Sequence, residues 1–316
     1  MRRPGSRRAD GSLRTPFWLP FLLLFPALVL VASCSPRRYA LNQVADAVAA
    51  TGGAAQSDDD PQLVKDAAPF NLKLIEALLA ENPRHEGLLL AACSGFTQYA
   101  YAFVQQDADE AEERDLAAAE ALRTRARKLY LRARGYGLRG LEVRHRGFES
   151  ALRSNPEGTA SEAAVEDVPL LYWTAASWGA AIALSKDRPD LVADLPQAEA
   201  LARRALALDE GYGEGALHVL LIAFEAGRPG SAEAAARCRE HFERAVALSR
   251  GSLASPYVTY AESVCVPLQD RRQFRSLLEN ALAIDPDAHP EHRLANLVAQ
   301  RRARWLLGRT DELFVE

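Results

Sequence analysis

The chain has 316 residues, of which 48% are hydrophobic and 25% charged, as in a folded body of one large domain or two ordinary ones. Alanine is abundant and β-branched residues are sparse beyond the first segment, a bias that favours helix over strand. The formal net charge is −4, and it becomes about −8 without residues 1–33, which carry five arginines and one aspartate. So acidic a body excludes a general nucleic-acid binder, which needs a clustered positive surface.

Residues 1–33 have the organisation of an export signal. An arginine-rich start precedes an apolar run from Phe17 to Val31. The run is about 15 residues long, whereas a membrane-spanning helix needs roughly 20. We therefore predict a signal peptide, and leave open an uncleaved anchor.

The signal ends in small residues directly before Cys34, in Val31-Ala32-Ser33-Cys34. This pattern resembles the bacterial lipobox, which implies cleavage before Cys34 and attachment of lipid to that residue. Ser35 follows, and by resemblance to enterobacterial sorting rules it indicates the outer membrane. The alternative is an ordinary signal with an incidental cysteine.

Beyond Cys34 the chain changes from tether to helix. Residues 41–50 are helix-like, and Gly52-Gly53 and Asp58–Pro61 break the pattern. Further on, the pattern predicts helices over 61–82, 84–105 and 111–134 and a polar, irregular insertion over 147–168. We divide the chain into three parts: a lipoprotein signal peptide (1–33), a lipid anchor and tether with a short helix (34–60), and a helical repeat domain (61–316).

Two features of the first half invite a functional interpretation. Gly135–Gly140 matches G-x-G-x-x-G, but a charged helix precedes it rather than the strand that a dinucleotide fingerprint needs, so we interpret it as a helix–helix turn. Residues 123–146 carry nine lysines and arginines. A solvated helix face accounts for them, and a face that docks anions or a partner is the alternative.

The second half contains an internal repeat. Three segments, 205–209, 245–249 and 281–286, end alike, with spacings of 40 and 36 residues. They resemble the second helix of the tetratricopeptide repeat, in which small residues let paired helices approach closely. The matching positions are Ala198, Ala202 and Ala205; Cys238, Phe242 and Ala245; and Phe274, Leu278 and Ala281.

The repeat predicts an all-α fold, a right-handed superhelix whose units bury their faces by stacking. First helices of the repeats are expected at about 170–186, 212–226 and 254–267, and a last helix at about 290–307. The N-terminal half is more degenerate, and the clearer repeats span about 170–308.

Residues with catalytic or metal-binding chemistry form no recognisable site. Of six histidines only His289 and His292 cluster, and Pro290 between them spoils a ligand face. We predict no metal, no cofactor and no enzyme activity. Cys238 falls at a buried packing position, although a disulfide with Cys265 is the alternative.

An aromatic run, Leu170–Gly179, holds two of the four tryptophans within six residues. Core packing and a ligand-lining wall both fit such residues. Trp173 and Trp178 point about 140° apart on a helix, so they cannot face one groove. We assign Trp178 to the core, and Tyr172 and Trp173 to a wall that receives a ligand or a partner protein.

Residues 128–139 and 171–179, with the lipobox before them and the repeats after them, resemble the tetratricopeptide-repeat lipoproteins associated with TRAP transporters, the T component. The resemblance covers roughly 40–308. It implies a periplasmic location, cooperation with the transporter's periplasmic solute-binding protein, and a homotrimer with a ligand-sized channel. The family has no catalytic motif to carry over.

The sequence therefore predicts a lipid-anchored, periplasm-facing accessory of a TRAP-type transporter. It would bind the solute-binding protein and a small apolar or organic-acid ligand. The alternative function is a generic repeat scaffold in cell-envelope assembly.

Overall fold

The structure, a computed structural model, describes Met1 and residues 36–49, 55–228 and 232–315. Residue contacts divide the chain into two compact units, residues 1–44 and 45–316. The described residues form helices and turns without a strand, which confirms the all-α class. Apart from Met1, the predicted signal peptide lies outside the described residues, and so does Cys34.

The helices of the first half are α1 (Pro36–Ala49), α2 (Pro61–Glu81), α3 (Glu86–Tyr99), a π-helical segment (Ala100–Gln105), α4 (Gln106–Ala111), α5 (Leu116–Arg144), α6 (Phe148–Ser154) and α7 (Pro156–Ser161). The first half contains the two longest described α-helices, α2 and α5. Aspartates cap both: Asp60 accepts from the backbone N–H groups of Gln62 and Leu63, and Asp115 accepts from that of Ala118.

The second half consists of helices of at most 17 residues that follow one another closely. They are a 3₁₀ turn (Val165–Asp167), α8 (Val168–Ala183), α9 (Pro189–Val192), α10 (Leu195–Leu208), a 3₁₀ turn (Tyr212–Gly215), α11 (Ala216–Ala226), α12 (Ala232–Leu248), α13 (Ser255–Tyr260), a π-helical segment (Ala261–Cys265), α14 (Arg271–Ala283), a 3₁₀ turn (Pro290–His292), α15 (Arg293–Gly308) and α16 (Thr310–Leu313). From α10 to α15 each helix packs against the next. This order is compatible with the predicted superhelix.

The repeat positions lie where helices touch. Eight of the nine are buried, in α10, α12 and α14, and Phe242 is half-buried. The alanines and Cys238 among these positions let neighbouring helices approach, so the pattern correctly identified the inward faces.

The predicted turn at Gly135–Gly140 is wrong, because these residues lie inside the continuous helix α5. A Cβ atom at Gly137 would come within 2.0 Å of Thr174 Oγ1, and one at Gly140 within 2.6 Å of Leu170 Cδ2. The glycines therefore allow α5 and α8 to pack closely, and they form no phosphate-binding loop.

The predicted irregular insertion at 147–168 is also wrong. It folds into α6, α7 and a 3₁₀ turn. Gly147 enters α6 with φ +83°, and the Asn155 side chain accepts from the Gly158 backbone N–H at 3.1 Å to begin α7. Local capping thus overcomes the weak helix propensity of this polar stretch.

Helix α15 returns to the first helices of the second unit and contacts α2. Arg301 binds Asp107 Oδ1 at 2.8 Å and Glu110 Oε2 at 2.7 Å. The buried Arg302 binds Asp109 Oδ2 at 2.7 Å and pairs with Glu262. The pairs with Asp107, Asp109 and Glu110 join residues almost 200 positions apart in the sequence.

Among the described residues, the helical run Glu86–Ala111 is long and apolar enough to cross a membrane by length and composition. Its apolar window is 61% buried within the protein. A core helix passes the same test, so the run is weak evidence for a membrane span.

Candidate ligand- or partner-binding site

Helix α8 positions the aromatic residues that the sequence singled out. Trp178 is 4% exposed, and its indole N–H donates to Asp194 Oδ2 at 3.2 Å. The Arg134 guanidinium lies 4.8 Å from the centre of its ring. Beside it, a Cβ atom on Gly179 would come within 2.4 Å of Phe224. Trp178 is therefore a core residue, as predicted.

Tyr172 and Trp173 lie together at a partly exposed position. The ring centroids are 4.9 Å apart with an edge-on geometry, and both side chains are half-buried. A third ring, Tyr212, lies 5.3 Å from Tyr172. Tyr172 and Tyr212 also pack against the core. We call Tyr172, Trp173 and Tyr212 the aromatic cluster.

The phenols of the aromatic cluster are held in their neutral form. Burial raises the pKa of Tyr172 well above its usual value, and the neighbouring Tyr212 adds to the effect. Burial also raises the pKa of Tyr212, while a hydrogen bond with the Trp173 side chain opposes this shift. The cluster thus presents apolar faces with polar, uncharged tips.

Sequence reasoning missed Tyr212 as a member of this cluster. It precedes α11, where Gly213 and Glu214 both have positive φ and turn the chain. The only available signal was its position near the start of an expected first helix. The ring contact depends on how that turn packs against α8, which spacing along the chain does not specify.

The described cysteines away from the signal are Cys93, Cys238 and Cys265, and all three are free and buried. The alternative of a Cys238–Cys265 disulfide is therefore wrong. The two thiols point to different partners, Ile222 O and Gln273 Oε1, each at 3.7 Å. Burial raises the pKa of Cys93 and of Cys265 to about 12, so these thiols are poor nucleophiles.

A cleft of about 310 Å³ opens away from the aromatic cluster. It lies where the chain between α6 and α7 meets α10, with Asn155, Glu157, Glu199 and Arg203 among its lining residues. Arg203 pairs with Glu225 at 2.9 Å and Glu199 lies 2.5 Å from Arg228, so their charges are largely satisfied. The lining is mainly polar, unlike an apolar small-molecule site.

The basic residues of 123–146 are mostly engaged with other helices. Arg134 binds Asp194, Arg144 binds Glu86 and Asp167, and Arg132 lies over the Phe96 ring. Arg123 binds Asp109, Glu112 and Glu120. These arginines brace α5 against its neighbours, and so they offer little free positive charge to an anion.

The histidines form one close pair that the sequence did not indicate. His218 and His241 contact each other through Nδ1 atoms 2.8 Å apart, and His218 Nε2 lies 3.1 Å from Glu210 Oε1. His289 and His292, by contrast, bind Glu291 and Glu214. No group of three or more potential metal ligands occurs in the described part of the chain.

The helices and their packing place this chain among the all-α proteins, by fold alone, and the order of helix contacts is compatible with a helical repeat. Residues 57–314 match the sequence model of the TRAP transporter T-component family. The chain belongs to this family. It is also 36% identical over 269 residues to an uncharacterized protein of Treponema pallidum (strain Nichols), across 82% of each chain.

Proposed function

We propose that this protein is a periplasm-facing accessory of a TRAP transporter that binds the solute-binding protein, and a small apolar or organic-acid ligand, at the aromatic cluster. Family membership supports the transport role. The observation that carries the binding site is the half-buried state of Tyr172 and Trp173 in a core whose neighbouring Trp178 is fully packed.

The chemistry of the aromatic cluster suits either occupant. Aromatic residues dominate binding hot spots, because they bury a large area with few rotatable bonds. Neutral phenol groups can donate hydrogen bonds to a carboxylate or to a backbone carbonyl without adding a net charge, while the indole N–H of Trp173 is bonded to Tyr212 and its ring offers an apolar surface. Trp173 stays outside the core, whereas Tyr172 and Tyr212 pack against it and hold the site rigid.

The lipid anchor at Cys34 and the outer-membrane location belong to this proposal, as does the homotrimer that the resemblance implies. Nucleic acid is not among the proposed partners, because the basic residues of α5 are occupied by carboxylates and rings. Attachment to the envelope would hold the aromatic cluster in the compartment where a periplasmic solute-binding protein diffuses.

Trp173→Ala should still fold but should bind its partner poorly, because it removes a partly exposed side chain of the aromatic cluster. Trp178→Ala should instead lose about 3–5 kcal/mol of stability, because it leaves a cavity in the core. Binding is measured by affinity capture of the solute-binding protein from envelope extracts, with mass spectrometry of retained small molecules. Stability is measured by urea denaturation.

Trp305→Ala serves as the matched control, since Trp305 is also half-buried but lies in α15, beside Arg302 and Arg309. It should capture the solute-binding protein as the parent does. Equal destabilisation by Trp173→Ala and Trp178→Ala, with undiminished capture, would reduce the aromatic cluster to ordinary core. Capture of envelope-assembly proteins alone would favour the scaffold function.

A further inference from the structure

Helix α2 carries an exposed apolar face. Phe70 is 76% exposed, Leu63 58% and Leu74 36%. Ala67 lies between Leu63 and Phe70, Ala77 lies one turn beyond Leu74, and both are exposed as well. We call these five residues the α2 stripe. The opposite side of the helix is packed normally, with Leu72, Ile75 and Leu79 buried in the core.

The α2 stripe has the spacing of a helix-pairing seam. Its members, at positions 63, 67, 70, 74 and 77, follow the alternation of four and three residues that places side chains at the a and d positions of a coiled coil. Single exposed apolar residues need no explanation, but a contiguous row on one helix marks an interaction surface. The spacing favours another helix as its occupant.

We propose that the α2 stripe pairs with the α2 stripe of a second copy of this chain, in antiparallel orientation about a twofold axis. In the antiparallel register, a positions of one helix pack against d positions of the other. Leu63 then meets Leu74 of the second copy, and Phe70 meets Ala67. A large residue faces a small one at the centre, so the surface is complementary to itself, as a twofold contact requires.

Charges beside the α2 stripe fit the same register. Asp66 and Lys73 are exposed and flank the seam on one side. Within their own helix, Asp66 accepts from the Gln62 side chain at 3.0 Å and Lys73 pairs with Glu76 at 2.5 Å, so a contact across the seam would add to these bonds or replace them. In the antiparallel pair Asp66 of each copy lies next to Lys73 of the other, which gives two opposite-charge contacts. In a parallel pair neither residue would meet an opposite charge, because their neighbours across the seam would be Asn71 and Leu78. The positions of these charges therefore favour the antiparallel arrangement over the parallel one.

One helix of 21 residues offers less than the roughly 800 Å² per partner of a standard stable interface. The contact is therefore weak, and it is best detected where the protein is concentrated. It is independent of the proposed transport function, and it can link two copies whether or not each belongs to a homotrimer.

Cysteine cross-linking in whole cells tests the pairing. In the antiparallel register the two copies of residue 67 lie about 4 Å apart along the helix axis, and the two copies of residue 77 about 25 Å apart. With the full chain and a short bismaleimide, Ala67→Cys should give a cross-linked dimer. Ala77→Cys, a matched control on the same face, should give no more cross-linked dimer than the parent chain. The natural Cys93, Cys238 and Cys265 are buried and do not compete.

Further variants test whether the apolar seam and the flanking charges cause the cross-linking. Phe70→Asp in the Ala67→Cys background should lower the dimer fraction about tenfold, because it places a charge in the seam. Asp66→Lys should lower it too, and the double change Asp66→Lys with Lys73→Asp should restore it. Circular dichroism confirms that each variant is folded.

The contrary results are equally definite. Cross-linking of Ala77→Cys as strong as that of Ala67→Cys would mean parallel helices and overturn the twofold pairing. A dimer fraction unchanged by Phe70→Asp, or a charge reversal that the double change does not rescue, would overturn it as well.

Discussion

Single atoms decide how closely α5 and α8 approach each other. Gly137→Ala should lower the free energy of unfolding by about 1–3 kcal/mol, because the new methyl group meets the buried Thr174 and Cys93 side chains. At Gly135, two residues earlier in the same helix, a Cβ atom would meet no heavy atom within 4 Å. Gly135→Ala should instead raise stability by about 0.5–1 kcal/mol.

Urea denaturation of both variants measures these opposite signs. A destabilised Gly135→Ala, or a Gly137→Ala variant as stable as the parent, would show that the glycines do not set the helix spacing.

For individual side chains, the sequence predicted burial better than it predicted contacts. Helical geometry separated Trp178 from Trp173, and the structure confirms Trp178 in the core. The contact of Tyr172 with Tyr212 could not be predicted, because it depends on a turn with positive φ angles 40 residues away. The binding role of Tyr172 and Trp173 stays a prediction.

The pairing of α11 with α12 should depend on pH through His218 and His241. Burial lowers the pKa of both side chains, and for His241 the neighbouring His218 charge adds to the shift. The unfolded chain therefore binds protons more readily than the folded one. Their stabilising contribution is complete above the ordinary histidine pKa of about 6.5, and it is lost progressively as the pH falls below it.

His241→Gln should thus reduce the loss of stability between about pH 7.5 and about pH 5.5, because glutamine keeps a polar contact and cannot take up a proton. Chemical denaturation at the two pH values measures the difference. His289→Gln, an exposed control in the turn before α15, should leave the loss as in the parent chain. An unchanged loss in His241→Gln would remove the histidine pair from the pH dependence.

Among the elements, helices with periodic small residues were the easiest to predict. Most of the positions in α10, α12 and α14 are buried, and the short side chains among them allow close helix contact. The span 147–168 was harder, since its helices depend on caps such as Asn155 and on a left-handed Gly147, while their polar residues suggest a loop. The turn predicted at Gly135–Gly140 was wrong for a related reason, because glycines occur both in turns and where two helices pack closely.

For the molecule as a whole, Cys34 should determine where the protein resides. Cys34→Ala is expected to accumulate as the unprocessed precursor or to leave the membrane fraction, because the lipid and the cleavage site share this residue. Gel mobility, detergent-phase partition and incorporation of labelled palmitate measure the effect. Ser33→Ala, which keeps a small residue before the cysteine, is the control. A Cys34→Ala protein that is processed and partitions as the parent does would contradict lipid attachment.

Long-range ion pairs tie the end of the chain to its beginning within the second unit. Arg301 and Arg302 on α15 bind the acidic residues of α4, and Arg302 also pairs with Glu262. Nothing in the local pattern of 107–110 or 301–302 predicts these partners, since exposed helix faces carry the same residue types. The buried position of Arg302 arises only when α15 closes against the first helices.

The two π-helical segments have a consequence for evolution. A π-helical turn holds one residue more than an α-helical turn, so it is equivalent to a single-residue insertion inside a helix. The π-helical turn accommodates the extra residue, so deleting one residue from Ala100–Gln105 should restore an α-helical turn and leave α4 in place. The same deletion in a continuous α-helix would rotate the part beyond it by about 100° and shift it by about 1.5 Å. Homologues one residue shorter in this segment should therefore keep acids that face Arg301 and Arg302, whereas those shortened elsewhere in the helix should have lost these ion pairs.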